Sequence, residues 1–185
     1  MKKWFVASIL VLSGINLASA DTAPAKAQAC VACHGPAGVS SNPEWPNLAG
    51  QHAGYLAMQL KAFRDGSRDN PAMVPFVADL TDADITALAK FYSEQKPGVA
   101  ANGDSALVAV GQNLSGYCVA CHGMTGVPVA DEWPILVGQQ APYLQKQLSA
   151  YKSGARINSL MQAAVAHLGD AEFAALAAYY SQLSR

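Results

Sequence analysis

Hydrophobic positions recur at helical spacing in several stretches of this chain, and no stretch alternates as a strand would. Ile85, Leu88, Ala89 and Tyr92 fall on one face of a helix. Thr81 stands ahead of that run with Asp84 three residues on, a form of capping box that marks where the helix starts. Phe173, Leu176, Ala177 and Tyr180 repeat the same face near the C-terminus. Tyr55, Leu56, Gln59, Leu60 and Phe63 predict a helix over about 52–65, and a matching pattern predicts one over about 140–153. Pro142 near the start of the latter is tolerated, because a first-turn N–H has no partner in any case. Shorter helices are expected over about 22–34 and 105–122. The fold class predicted is all-α.

These pairs of helices belong to a repeat. Residues 30–96 align on 118–184 at a constant offset of 88 with no gap, giving 34 identical pairs in 67. Glu44-Trp45-Pro46 returns as Glu132-Trp133-Pro134, Gly50-Gln51 as Gly138-Gln139, and Tyr55-Leu56 as Tyr143-Leu144. Identity of that length without an insertion marks a duplicated domain. Between the copies, Lys96-Pro97-Gly98 and the residues up to Gly103 carry the Pro and Gly signals of a loop. The expected division is domain 1 over 21–97, a linker over 98–103 and domain 2 over 104–185. Each domain is small enough for a protein core alone to be marginal, so a cofactor at its centre is expected.

Ahead of the repeat, Lys2 and Lys3, the apolar run Trp4 to Ile15 and Ala18-Ser19-Ala20 read as a signal peptide over 1–20, cleaved before Asp21. The apolar run is shorter than the roughly 20 residues a spanning helix needs, so a retained anchor is disfavoured and export to the periplasm is expected. Removing Lys2 and Lys3 leaves 10 basic residues against 13 acidic, a net charge of −3. With no basic stripe, nucleic acid is not an expected partner. After residue 20 no apolar run is long enough to span a bilayer, so any membrane contact is expected to be peripheral docking.

The chemistry is carried by five residues that occur twice, Cys30-Val31-Ala32-Cys33-His34 and Cys118-Val119-Ala120-Cys121-His122. They use all four cysteines of the chain. C-x-x-C-H is the pattern by which c-type haem is attached: both thiols lie on one side of a helical turn, and the next residue turns its imidazole to the iron. A thioredoxin-like pair needs a βαβ context that is missing here. Zinc ribbons separate their pairs by about 15–20 residues, far less than in this chain. Two structural disulfides would close loops too short to remove much chain entropy. None of these alternatives accounts for the histidine that follows each motif.

The sixth ligand decides the chemistry, since a His/Met site is closed and raises the reduction potential. Of the methionines after residue 20, Met73 and Met161 are repeat counterparts, each 39 residues beyond its own histidine. Met58 matches Lys146 and Met124 matches Pro36, so neither recurs. Met73 and Met161 are the expected ligands, against the alternative that both are core filler. His52 pairs with Gln140 and His167 with Asp79, so both read as surface or helix-end residues.

Two C-x-x-C-H motifs, each followed by W-P-x-L-x-G-Q, Y-L-x-x-Q-L and a later methionine ahead of a helix ending in tyrosine, resemble the di-haem cytochrome c4 family over essentially the whole chain beyond residue 20. That resemblance implies two tandem class I cytochrome c domains packed about a pseudo-two-fold axis, with the haem edges facing each other. It implies two covalently bound haem c groups, thioethers at Cys30, Cys33, Cys118 and Cys121, and axial ligands His34, Met73, His122 and Met161. It further implies backbone carbonyls of Pro46 and Pro134 on the two imidazoles, and Trp45, Trp133, Tyr55, Tyr143, Arg68 and Arg156 around the pocket or on propionates. The implied role is an electron carrier, not an enzyme, with no small-molecule substrate. Its partners would be redox proteins: a respiratory complex, a terminal oxidase or a dehydrogenase. The haem subunit of flavocytochrome c sulfide dehydrogenases is similar as well, which leaves a permanently bound dehydrogenase subunit as the second expectation.

Overall fold

The structure, a computed structural model, describes residues 23–185, and the signal peptide expected over 1–20 lies outside them. Among the described residues every regular element is helical. The first repeat runs through a 3-10 turn (Ala25–Cys30), α1 (Val31–His34), α2 (Ala53–Arg64), α3 (Val74–Val77) and α4 (Asp82–Ser93). The second has 3-10 turns at Ser105–Leu107 and Ser115–Tyr117, with α5 (Val108–Leu114), α6 (Val119–His122), α7 (Ala141–Ser153), α8 (Ser159–Val165) and α9 (Asp170–Gln182). No helix among them is long and apolar enough to cross a membrane.

The periodic faces read from the sequence are the faces that pack. Ile85, Leu88, Ala89 and Tyr92 of α4 lie buried against α2, and Phe173, Leu176, Ala177 and Tyr180 of α9 against α7. Burying one such side chain stabilises the fold by about 1.5–3 kcal/mol. Each half has its own apolar cluster, one built round Leu56, Phe63, Val77 and Ile85, the other round Tyr151, Val165, Phe173 and Leu176. Helix α5 crosses α9 at Gly111, where a Cβ would fall 2.0 Å from the Ala175 carbonyl oxygen. Only glycine permits that approach.

Helix starts follow the capping chemistry. The Thr81 hydroxyl accepts from the Asp84 N–H at 3.1 Å, and the Asp84 carboxylate accepts from the Thr81 N–H at 2.9 Å, so the full capping box forms on α4. In α9 the cap is Gly169, which has no side chain to offer. There only the return bond exists, Gly169 N–H to Glu172 at 2.9 Å.

The structure differs from expectation in two places. The segments expected as helices over about 22–34 and 105–122 are broken series of 3-10 and α turns. Short helices α3, directly after Met73, and α8, which contains Met161, carry too few residues to show a period.

Candidate functional site

Each C-x-x-C-H motif sits on a single helical turn, α1 or α6, with its first cysteine at the N-cap. The turn ends at once, at Gly35 (φ 78°) and Gly123 (φ 78°). A Cβ on either would lie 2.2 Å from the carbonyl oxygen of Val39 or Val127. The glycine after each histidine therefore lets the chain double back tightly under the imidazole.

His34 and His122 are buried, and each ring is fixed from below. The His34 Nδ1–H donates to the Pro46 carbonyl at 2.9 Å, and His122 Nδ1–H to that of Pro134 at 3.0 Å. A carbonyl only accepts, so the proton is on Nδ1 and the lone pair is on Nε2. Burial pushes both imidazole pKa values down, and the proline carbonyls oppose the shift only in part. Neutral rings with a free Nε2 suit ligation of a metal. The resemblance anticipated these two carbonyls, and the structure has both.

Cys30 and Met73 pack on the first cluster, Cys118 and Met161 on the second, so each half gathers its first thiol and its methionine on one core. Burial raises the pKa of Cys30 and of Cys118. Cys33 is half-buried and Cys121 exposed, and none of the four thiols is bonded to another. Among the described residues no three His, Cys, Asp or Glu side chains converge on a metal-sized site, so the two C-x-x-C pairs do not share one ion.

The Arg, Tyr and Gln residues common to both repeats do something the sequence did not reveal. They join the halves. Arg68 on the loop after α2 donates to Gln59 at 2.6 Å within its own half, and to Gln147 at 2.8 Å and the Tyr143 hydroxyl at 3.3 Å in the other. Arg156 repeats this with Gln147 at 2.7 Å, Gln59 at 2.8 Å and Tyr55 at 2.9 Å. Each guanidinium also lies over a ring of its own half, Phe63 at 4.4 Å and Tyr151 at 4.6 Å. Arg156 is buried and Arg68 half-buried, and among the described residues neither has a carboxylate in ion-pair range. Burial raises the Tyr151 phenol to about 12. Burial also acts to raise Tyr143, yet Arg68 and Arg156 together hold it below its ordinary value.

A second reciprocal set lies alongside. The Gln51 amide accepts from Ile135 N–H at 2.8 Å and donates to the Ile135 carbonyl at 2.9 Å. Gln139 does the same to Asn47, at 2.7 and 2.9 Å. Residues 47 and 135, like 51 and 139, are repeat counterparts, so these bonds describe a pseudo-two-fold joint.

His52, expected as an ordinary surface or helix-end residue, stands at the N-terminal end of α2 and donates from Nδ1 to the Trp133 carbonyl at 3.0 Å, across the joint. His167 is exposed, edge-on to Tyr117. Trp45 is exposed and Trp133 half-buried. The joint had one signal in the sequence: Gln59, Arg68 and their counterparts are polar residues held in common on otherwise apolar faces.

What the fold and the motifs define is a tandem pair of cytochrome c domains. Residues 108–184 match the family model described as cytochrome c, and residues 21–91 match the one described as cytochrome c oxidase, cbb3-type, subunit III. Cytochrome c4 of Pseudomonas aeruginosa is 35% identical over 99% of this chain and 100% of its own length. A thiosulfate dehydrogenase electron acceptor of Thiomonas intermedia is 38% identical over 93% of this chain and 86% of its own. The solved structure of reduced cytochrome c4 from Pseudomonas stutzeri superposes with a TM-score of 0.81 at 33% identity, covering 86% of this chain and 95% of that one. The chain belongs to the di-haem cytochrome c4 family. It carries two covalently bound haem c groups and acts as an electron carrier.

Proposed function

We propose that domain 1 (21–97) holds one haem through thioethers at Cys30 and Cys33 with His34 and Met73 as axial ligands. Domain 2 (104–185), beyond a linker over 98–103, holds the other through Cys118 and Cys121 with His122 and Met161. The observation that carries this reading is the pair of buried imidazoles, each with Nδ1–H committed to a proline carbonyl and Nε2 left open. Two supports come from elsewhere. Cys30 with Met73, and Cys118 with Met161, share a core cluster. Two guanidiniums without a carboxylate suit a group that brings its own carboxylates.

The haem iron supplies the one-electron chemistry. The chain fixes the imidazoles, closes the sixth position with a thioether that excludes exogenous ligands, and holds the halves at a set separation through the Gln and Arg joint. Nothing is left open for a substrate, so the protein passes electrons between partners and is not itself an enzyme. It works in the periplasm after loss of residues 1–20. Its partners are a dehydrogenase on one side and a respiratory complex or terminal oxidase on the other. The Thiomonas intermedia relative favours a thiosulfate dehydrogenase as donor over permanent membership of a flavocytochrome c sulfide dehydrogenase, the alternative that the resemblance left open.

Size-exclusion chromatography of native periplasmic extract, followed by haem absorbance, tests the carrier role. Elution at the mass of one mature chain supports a free carrier. Co-elution with a second polypeptide contradicts it in favour of a permanent dehydrogenase subunit.

A further inference from the structure

The carbonyl that fixes each C-x-x-C-H histidine belongs to a peptide group that the other half holds. The Pro134 carbonyl, which accepts His122 Nδ1–H at 3.0 Å, shares one peptide unit with the Ile135 N–H. That N–H donates to the side-chain oxygen of Gln51 at 2.8 Å. In the first half the Pro46 carbonyl accepts His34 Nδ1–H at 2.9 Å and shares its peptide unit with the Asn47 N–H. This N–H donates to the side-chain oxygen of Gln139 at 2.7 Å. Each imidazole is thus linked through a single peptide group to a glutamine across the pseudo-two-fold joint.

The partners fix which way each glutamine amide points. The Gln51 oxygen also accepts the His52 N–H at 2.9 Å, and its nitrogen donates to the Ile135 carbonyl at 2.9 Å. The Gln139 oxygen accepts the Gln140 N–H at 3.0 Å, and its nitrogen donates to the Asn47 carbonyl at 2.9 Å. A backbone N–H only donates and a carbonyl only accepts, so turning either amide over would break these bonds. Both glutamines, Asn47, Ile135 and both histidines are buried. In such a low-dielectric setting hydrogen bonds that share a peptide group polarise one another. An acceptor on the N–H makes the carbonyl of the same peptide a stronger acceptor.

A stronger bond at Nδ1–H makes the imidazole more basic at Nε2, the atom that faces the metal. A more basic ligand favours the oxidised iron and lowers the potential.

We propose that Gln51 is a positioning residue for the second haem and Gln139 for the first, each lowering the potential of the haem in the opposite half through the peptide group that holds its histidine. This rests on the assignment of His34 and His122 as axial ligands. The joint then does more than set a separation, because each half tunes the iron of the other.

The test is a spectroelectrochemical titration of holoprotein variants, read beside NMR of the reduced form. Methionine in place of either glutamine fills the same space, so water cannot replace the lost acceptor. Gln51→Met should shift the second haem's equilibrium about threefold toward the reduced form, roughly 30 mV higher at 59 mV per tenfold, and leave the first unmoved. Gln139→Met should do the reverse. The Nδ1–H resonance of His122 should move upfield in Gln51→Met, and that of His34 in Gln139→Met. His52→Ala is the control. It loses a bond across the same joint, to the Trp133 carbonyl at 3.0 Å, whose peptide unit has no N–H because Pro134 follows. It should move neither potential. Where a methionine variant fails to fold, Gln51→Asn or Gln139→Asn, an amide one methylene short of the N–H, reads the same shift. Both potentials moving together in each variant, or neither moving, overturns the proposal, since a loosened joint has no preference between the halves. Wild-type His34 or His122 ring protons without a haem ring-current shift would instead overturn the axial assignment beneath it.

Discussion

The two halves of the chain agree at 34 of 67 aligned positions, and agreement and difference occupy different parts of the molecule. Residues held in common do two jobs. Inside each half they build the C-x-x-C-H turn, its proline carbonyl and the tyrosine-bearing last helix. Across the joint, Gln51 and Gln139, like Arg68 and Arg156, make reciprocal bonds to the opposite half. Their targets are freer to vary. Across the joint Gln51 and Gln139 bind only the backbone of residues 135 and 47, so Ile135 and Asn47 differ without loss of either bond. Asn47 uses its different side chain for a further bond to the Gly138 carbonyl at 2.9 Å. Elsewhere the two-fold is broken outright. Gly54 and Tyr55 donate to Asp131 at 2.5 and 2.8 Å, whereas the counterpart of Gly54 is Pro142, which has no N–H, and that of Asp131 is Pro43, which has no carboxylate. A duplicated domain must preserve side chains that recognise side chains across its axis. It can drift where recognition goes through backbone.

The comparison breaks most readily at the arginines. Arg156→Ala removes a buried guanidinium shared by Gln147, Gln59 and Tyr55, and should destabilise the holoprotein by about 3 kcal/mol in urea unfolding. Arg68→Ala should cost roughly half as much, because Arg68 is only half-buried and water can replace part of what it gives. Equal losses would mean that the exposure difference between the two has no energetic weight. Gln51→Ala and Gln139→Ala each take a partner from two backbone N–H groups and one carbonyl, and each should cost about 1–3 kcal/mol. Here the two values should match closely, because both glutamines are buried and make the same three bonds.

Smaller effects sharpen the difference at the last helices. Thr81→Ala should cost about 1 kcal/mol through loss of the side-chain cap on α4. Gly169→Ser should stabilise by a few tenths by supplying the cap that α9 lacks. Both helices share an acid dependence. Thr81, through its hydroxyl and then its N–H, holds the Asp84 carboxyl below its ordinary pKa, and the backbone N–H groups of Glu172 and Gly169 do so for Glu172. A folded pKa below the unfolded one stabilises fully above the unfolded value, and that contribution disappears as pH falls through the folded one. Both caps should therefore weaken below about pH 4. Circular dichroism of Asp84→Asn should show a reduced acid dependence, and an unchanged acid limb would remove Asp84 from the cap.

Much of this was legible before any coordinates. The faces of α4 and α9 follow from period alone, because four apolar side chains at helical spacing have one way to be buried. The repeat located the motifs and singled out Met73 and Met161. Of the joint only the recurrence of Gln59 and Arg68 was legible, and the reason is physical. Gln51 and Gln139 act on backbone atoms more than 80 positions away, which leaves no pattern in either stretch. Arg68 and Arg156 were read as lining a pocket, since one sequence shows that a polar residue recurs but not which surface it faces. His52 looked expendable because Gln140 stands opposite it in the repeat, yet it sits where the two-fold is broken and bonds a single carbonyl. Helices α3 and α8 have too few residues to show a period.

The axial assignment is tested most directly by spectroelectrochemical titration of Met161→Ala beside the wild type. With Met161 on the second iron, that haem alone should fall in potential and become open to cyanide, while the first keeps its wild-type potential and spectrum. Two haems with unchanged potentials and spectra in this variant would contradict the assignment.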